Sequence, residues 1–346
     1  MKKFLSFVLV LLIGLALVPN KNFAADDTLE ILPTMTTESS TENRAWVGTF
    51  QLVWNDILAN ITNKPIEFCG YESKMAQNLN QQEFTKDNLS SNAYYTKYGV
   101  VCPKLKKEIE RGIRKKFREK SDILDMFDFS NQPDKIFVYA MLKKDFKFLT
   151  AFDKLPDGFF GDVRKPVKYF GINDNSSEKL YKNVEVLFFN DYNDYAIKLF
   201  TKSNDEVLLY RTEDNSTFDK YFKDLNDKTE KYVGNRRFIK GDSLLVPDIK
   251  LFKMASFEEL EGHEIKYTKF RIDKTIETID FSMNNTGVKL KSEAGLMARC
   301  TSLSPRTGRE FMFNDNFILF LVEKGQKVPY FAIRVHDVDA LNKLKK

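Results

Sequence analysis

A histidine-assisted nucleophile needs its base beside a serine or cysteine, and this chain has only two histidines. His263 stands in "EGHEI" and His336 in "RVHDV". Neither context is a nucleophile motif: there is no G-x-S-x-G and no papain-like cysteine setting. Both are expected as ordinary surface or turn histidines. No P-loop, H-E-x-x-H, paired C-x-x-C or EF-hand spacing occurs. The carboxylates are plentiful but scattered, so no acid/base pair stands out. The chain is therefore not expected to be an enzyme, and no cofactor or metal is implied.

Cys69, Cys102 and Cys300 are the only cysteines. Three thiols do not make a disulfide framework in a chain of this size. Three separate buried thiols is the expectation, with one pair plus a free thiol as the alternative.

What surrounds these residues sets the compartment. Lys2 and Lys3 precede an apolar run from Phe4 to Val18, followed by Pro19, Asn20 and "NFAA". A basic start, an apolar centre and small residues at the end read as a secretory signal. Residues 1–25 are assigned to it, with cleavage after Ala24 or Ala25. The mature protein is then secreted, with no membrane attachment after cleavage. Residues 26–44 are Thr/Ser/Glu-rich and without period, and are expected as a disordered linker. The globular texture of residues 45–346 predicts a single domain. Basic residues number 54 and acidic ones 49, for a net charge of +5. That balance does not suit a dedicated nucleic-acid binder, and a monomer is expected.

"WVGTFQLVWNDILANI" spaces Val47, Phe50, Val53, Trp54, Ile57 and Ile61 as one helix face. "ESKMAQNLNQQEF" is a weaker helix. In "CPKLKKEIERGIRKKFREKSDILDMF", Pro103 suits a first turn and Leu105, Ile109, Ile113 and Phe117 recur every four residues. The other faces of this helix, Lys104 to Lys120, are dense in Lys and Arg. They are either a solvated face with Glu108, Glu110 and Glu119 as partners or a strip for a polyanion.

From Lys135 the texture turns to strands. "KIFVYAML" suits a buried strand, and "NVEVLFF", "DYAIKLFT" and "EVLLYRT" a meander. "TFDKYFKDL" suits a short helix. "ETIDFSM" points Ile279, Phe281 and Met283 inward, and "NFILFLVE" with "VPYFAIRV" makes a terminal hairpin. Helices lead and strands follow without a βαβ repeat. This predicts an α+β fold, with helices packed on large, mostly antiparallel sheets.

The strands also resemble, in their order, those of the serpin family, from about Ala45 onward. "YAMLKKDFKFLTAF" (Tyr139 to Phe152) is similar to the serpin stretch that ends a central-sheet strand. "YAIKLFTKSNDEVLLYRT" resembles the paired B-sheet strands, and "LLVPDIKL" (Leu244 to Leu251) the Val-x-Leu-Pro-x-Phe strand. "REFMFNDNFILFLVEKGQKVPYFAIRV" is the best match, to the last two strands. There are departures. "EFCGYES" replaces the family's Phe-Ser-Pro-x-Ser-Ile helix start. Phe146 or Phe148 occupies the region of its central-sheet tryptophan. Ala332 or Ile333 replaces the glycine of its last strand.

The resemblance implies a secreted inhibitor of a serine or cysteine protease. A reactive loop between the fifth central strand and the terminal hairpin is cleaved as bait and inserts into the central sheet. Such a loop must be able to read as a strand. From Gly287, the even positions Val288, Leu290, Ser292, Ala294, Leu296, Ala298 and Cys300 are apolar or small. The odd positions Lys289, Lys291, Glu293, Gly295, Met297, Arg299 and Thr301 are largely charged or polar. This is the alternation of a half-buried strand. Its phase is opposite to that of the preceding strand, so a turn is expected at Asn284 to Gly287.

The implied hinge comprises Gly287, Val288, Leu290, Ser292, Glu293, Ala294 and Gly295, with "SEAG" echoing the family's small-residue hinge. The implied scissile region comprises Arg299, Thr301, Ser302, Pro305 and Arg306. Arg299, Arg306 and Arg309 would each suit a trypsin-like protease. Two arrangements stay open: a reactive-loop segment exposed until it is cut, or one already inserted, in a non-inhibitory binding protein.

Overall fold

The computed structural model describes residues 29–161, 163–290 and 308–342, with the main chain alone at 163–165 and 339–340. Short strand β1 (Glu30–Leu32) lies parallel to β2 (Arg44–Val47). Helix α1 (Thr49–Ile57) follows, extended by one wider turn over Leu58–Thr62. Then come α2 (Lys74–Asn80), β3 (Tyr94–Val101), α3 (Pro103–Phe117), β4 (Gln132–Leu142) and β5 (Lys144–Lys147). A hairpin, β6 (Asp153–Phe160) and β7 (Val163–Ile172), precedes the meander β8 (Val184–Asp191), β9 (Asp194–Phe200) and β10 (Asp205–Arg211). After α4 (Phe218–Lys231) come β11 (Ser243–Pro247), β12 (Ile249–Ala255), β13 (Glu277–Asn284) and β14 (Gly287–Leu290). The described chain closes with β15 (Glu310–Met312), β16 (Phe317–Glu323), β17 (Phe331–Val335) and α5 (Val338–Leu341).

Seven strands, β1-β2-β17-β16-β10-β9-β8, form the largest sheet. A second sheet runs β15-β11-β7-β6, and a third β12-β13-β14-β5. Strands β3 and β4 pair with each other. Parallel pairing among the described strands is confined to β1 with β2 and β11 with β15. The mostly antiparallel α+β expectation is met.

The meander and terminal hairpin form as their alternation predicts. Phe317, Leu319 and Leu321 on β16 are fully buried, as are Phe331, Ala332 and Ile333 on β17. The "LLVPDIKL" stretch divides between two sheets: β11 ends at Pro247 and β12 begins at Ile249. Helix α3 buries Leu105, Ile109 and Ile113 in a small separate core with Val101 and Tyr139. It stops at Arg118, whose φ of 58° breaks the helical hydrogen bonding. "SDILDMF" is therefore outside it.

The linker expectation for 26–44 needs correcting from Leu29 onward. Leu29, Ile31, Leu32 and Met35 are buried, and β1 takes its ladder from β2. The polar composition concealed four apolar side chains that pack once the large sheet is present. Arg44 is buried as well, donating to Thr41 O, Asn215 Oδ1 and Ser216 O. Residues 46–47, expected inside the first helix, belong to β2, and the helix starts at Thr49.

The β6–β7 hairpin escapes sequence reading. "DKLPDGFF" carries Pro156 and Gly158 in its middle, and its pairing with β7 slips at both. An edge strand tolerates such residues where a central one would not. "EFCGYES" leads only to the seven-residue α2. Cys69 is exposed and Cys102 half-buried, both unpaired thiols. The buried-thiol expectation thus fails at Cys69, which lies in a surface bridge to Glu264 rather than a core. Cys300 lies outside the described residues. His263 stacks on Tyr71, and the His336 ring meets Asn316 Oδ1 at 2.5 Å. Among the described residues no helix is long and apolar enough to cross a membrane.

Candidate functional site: a wedge and a groove in the central sheet

The phase reversal after β13 is a turn, as expected. Asn284 Oδ1 accepts from Thr286 N and Thr286 Oγ1, closing Asn284 to Thr286. The β5–β6 connection grips the turn from outside. Phe148 N donates to Thr286 O, Phe152 N donates to Asn285 O, and Asn285 Nδ2 donates to Phe152 O. The chain then re-enters the sheet as β14.

Strand β14 is antiparallel to both its neighbours. Val288 faces Met283 on β13 and Phe146 on β5, and Leu290 faces Lys144 on β5. Val288 and Leu290 are buried while Lys289 points to solvent, 3.8 Å from Asp145. The even-in, odd-out alternation holds wherever the segment is described. Gly287 sits where main chains almost touch. A Cβ there would lie 2.2 Å from Phe146 O.

Of the implied hinge residues, Gly287, Val288 and Leu290 therefore stand in the sheet. Ser292, Glu293, Ala294 and Gly295 lie outside the described residues. So does the whole implied scissile region: Arg299, Thr301, Ser302, Pro305 and Arg306. Arg309 is described and is not an available bait residue. Its guanidinium donates to Asp242 Oδ2 at 2.6 Å and to the carbonyls of Asn235 and Arg237. A protease cannot take a side chain so engaged without breaking all these bonds.

One strand between two others holds them about 9.5 Å apart, twice the usual strand spacing. Strand β14 is only four residues long, so the flanking strands continue past its end. Chain β4–β5 continues toward Gln132, paired with β3 on its far side. Strand β13 continues toward Glu277, paired with β12 on its far side. Among the described residues, the facing edges of β4 and of β13 from Glu277 to Phe281 carry no ladder partner. A cavity of about 820 Å³ lies between them, reaching Leu290 at the wedge. Helix α1 forms its floor with Phe50, Val53, Trp54 and Ile57.

Two buried polar groups frame this groove. Lys144 on β5 reaches Asp205 Oδ1 at 2.7 Å and Glu323 Oε1 at 2.5 Å, and lies over the Tyr330 ring. Burial pushes the Glu323 carboxyl up, but hydrogen bonds from Lys144 and Ser90 outweigh it and hold it below its ordinary value. The wedge-bearing strand is thereby tied to β10 and β16 of the large sheet.

At the other end, Glu277 Oε1 accepts the Phe50 N–H at 2.9 Å. This replaces a cap that α1 lacks. Its N-cap residue is Gly48, and a Cβ there would strike the Phe84 ring at 2.2 Å. Without a capping side chain, the free N–H at the helix start finds a carboxyl on β13. Burial pushes Glu277 up to about 8 against that hydrogen bond. Sequence reading missed both Lys144 and Glu277. A charged residue inside an apolar-alternating strand was the available signal for each.

No protein-family model matches the sequence, and no curated protein sequence does. Solved structures do align. Thyroxine-binding globulin in complex with thyroxine aligns at a TM-score of 0.43 and 12% identity over 68% of this chain. The chain spans 65% of that protein, just under two thirds. Serpin48 of the insect Tenebrio molitor aligns at 0.44 and 11% identity, over 83% of this chain and 95% of its own. Human glycosylated kallistatin aligns at 0.42 and 12% identity, over 79% and 71%. The fold is described by the strands themselves. Strands form within the stretches 139–152, 195–211, 244–251 and 309–335 that carry the sequence resemblance, although 244–251 is divided between β11 and β12 and is not one strand. The chain has an α+β fold of mostly antiparallel sheets.

Proposed function

We propose that the protein inhibits a serine or cysteine protease by cleavage of the segment after β14 and insertion of that segment into the groove. The observation that carries this reading is the wedge. Its two registers already run in the direction that insertion requires, and the groove ahead of it offers two unpaired strand edges. Continued one residue per rung, the β5 register brings residues 291–298 against 143–136 of β4. The β13 register brings 291–294 against 280–277. Ser292, Ala294, Leu296 and Ala298 would then face α1, and apolar or small side chains suit that floor. Secretion through the leader at residues 1–25 fits a protease target outside the cell.

The test is incubation of the mature protein with trypsin-, subtilisin- and papain-like proteases, read on denaturing gels. A covalent complex, a cut between Arg299 and Arg306 and a rise in thermal stability of the cleaved protein are expected. Clean cutting with neither complex nor stabilisation overturns the reading.

A second reading has its own observation. Val288 and Leu290 are already seated on both neighbours, as suits a non-inhibitory binding protein whose segment belongs to the sheet from the start. Protease resistance throughout 291–307 would favour it. The surface of α3 at Lys104, Lys107, Arg111, Arg114 and Lys115 is exposed and basic, and is our candidate contact for a polyanion. Salt-sensitive retention on a sulfated polysaccharide, lost when Lys107 and Arg111 become Glu, tests it.

A further inference from the structure

We infer that Glu277 is a protonation gate on the groove: its neutral carboxyl admits a strand beside β13, and its ionised form resists one. This rests on the strand-insertion reading proposed above. Glu277 is 4% exposed, and its Oε2 has no hydrogen-bond partner among the described residues. It lies on the groove wall at the far end of the unpaired β13 edge from β14, beside the start of α1. An entering strand replaces the contents of the groove with main chain and small side chains. A neutral acid can donate its Oε2 proton to a carbonyl there. A carboxylate would be sealed in without a counter-charge, which an apolar interior strongly disfavours for an unpaired ion.

The surroundings supply no such charge. Helix α1 carries only Asp56, near its far end and bound to Lys86 at 2.6 Å. Between Lys135 and Lys143, β4 has no charged residue. Lys135 is 3.3 Å from Asp273, and Lys143 is 2.7 Å from Glu119. Strand β12 sets Ala255 opposite Glu277, with Lys253 one rung pair away opposite Ile279. Asp280 on β13 stands on the other face by alternation. In the approach to β13, Lys274 donates to Met126 O, and Glu261 accepts from Thr275. The elevated carboxyl has burial as its main cause, and no charged neighbour contributes to it.

The test compares the wild-type mature chain and Glu277→Gln, the isostere of the neutral acid. Both are cut in the 299–306 segment, and the gain in thermal stability is followed with time at about pH 6 and about pH 9. For the wild type, a group titrating near 8 leaves about a tenth of molecules neutral at the higher pH, so about tenfold slower gain is expected. Glu277→Gln should be equally fast at both. A flat wild-type profile, or a pH dependence that survives in Glu277→Gln, overturns the gate. If Glu277→Gln does not fold, proton uptake by wild type on cleavage at about pH 8.5, corrected for the proton released by the new α-amino group as measured on the same cut in the unfolded chain, decides: corrected uptake supports the gate, none overturns it. Absence of any stability gain in either protein at either pH instead overturns strand insertion itself, and this inference with it.

Discussion

Gly287 and Phe146 meet main chain to main chain, so closely that a Cβ on residue 287 would lie 2.2 Å from Phe146 O. This contact is where the chain, having turned after β13, enters between β13 and β5. It fixes the start of the wedge and so the position of the groove.

Gly287→Ala should therefore push β14 away from β5. Backbone strain of this kind costs on the order of 1–3 kcal/mol. A lowered midpoint in urea unfolding is expected. An unchanged midpoint would mean that β14 does not pack on β5 as described.

Lys144→Met removes one partner from a buried cluster and leaves Asp205 and Glu323 facing each other. Breaking a buried pair in this way costs about 3–5 kcal/mol. The sign of the pH dependence follows from Glu323, whose carboxyl is held below its ordinary value. Its contribution to stability is present above the ordinary glutamate range and is lost as pH falls through the lowered folded value. Wild type should lose stability in acid more steeply than Lys144→Met, as read from thermal melts across an acid series.

Glu277 acts in the opposite sense on the intact fold. Its carboxyl rises from 4.5 to about 8 on folding. The stability it contributes is fully present below 4.5, declines as pH rises, and is gone above about 8. Raising a carboxyl by one pH unit is worth about 1.4 kcal/mol, so the decline is on the order of 5 kcal/mol. Melts of Glu277→Gln should be flatter than wild type between those limits. Parallel curves would remove Glu277 as the cause.

Arg309 should resist trypsin in the folded protein, because its guanidinium is engaged by Asp242 and two carbonyls. Peptide mapping of a brief digest should find no native cut after Arg309. Arg309→Ala should destabilise by about 1.5–3 kcal/mol, the usual worth of hydrogen bonds to a charged group. It also leaves the Asp242 carboxylate buried without its cation.

Much of the site was legible before the structure. The alternation from Val288, the phase flip at Asn284 to Gly287 and the inward Ile279, Phe281 and Met283 follow from a period of two, which depends on nothing beyond the strand itself. Lys144 and Glu277 were not legible in the same way. A charge in a strand pattern reads as solvent-facing until its partners are known. Those partners lie far away in sequence: Asp205 and Glu323 for Lys144, and the start of α1 for Glu277.

By itself the sequence determined the α+β class, the meander, the terminal hairpin and the strand character of Val288 to Leu290 after the turn. These are local matters of period and turn chemistry. Tertiary structure decided the rest. It set Leu29 to Met35 into the core rather than a tether, because their burial exists only once the large sheet does. It paired 287–290 between β13 and β5 and left the edges beyond apart. Which edges meet depends on strands more than a hundred residues apart, and no pattern within either strand encodes that choice.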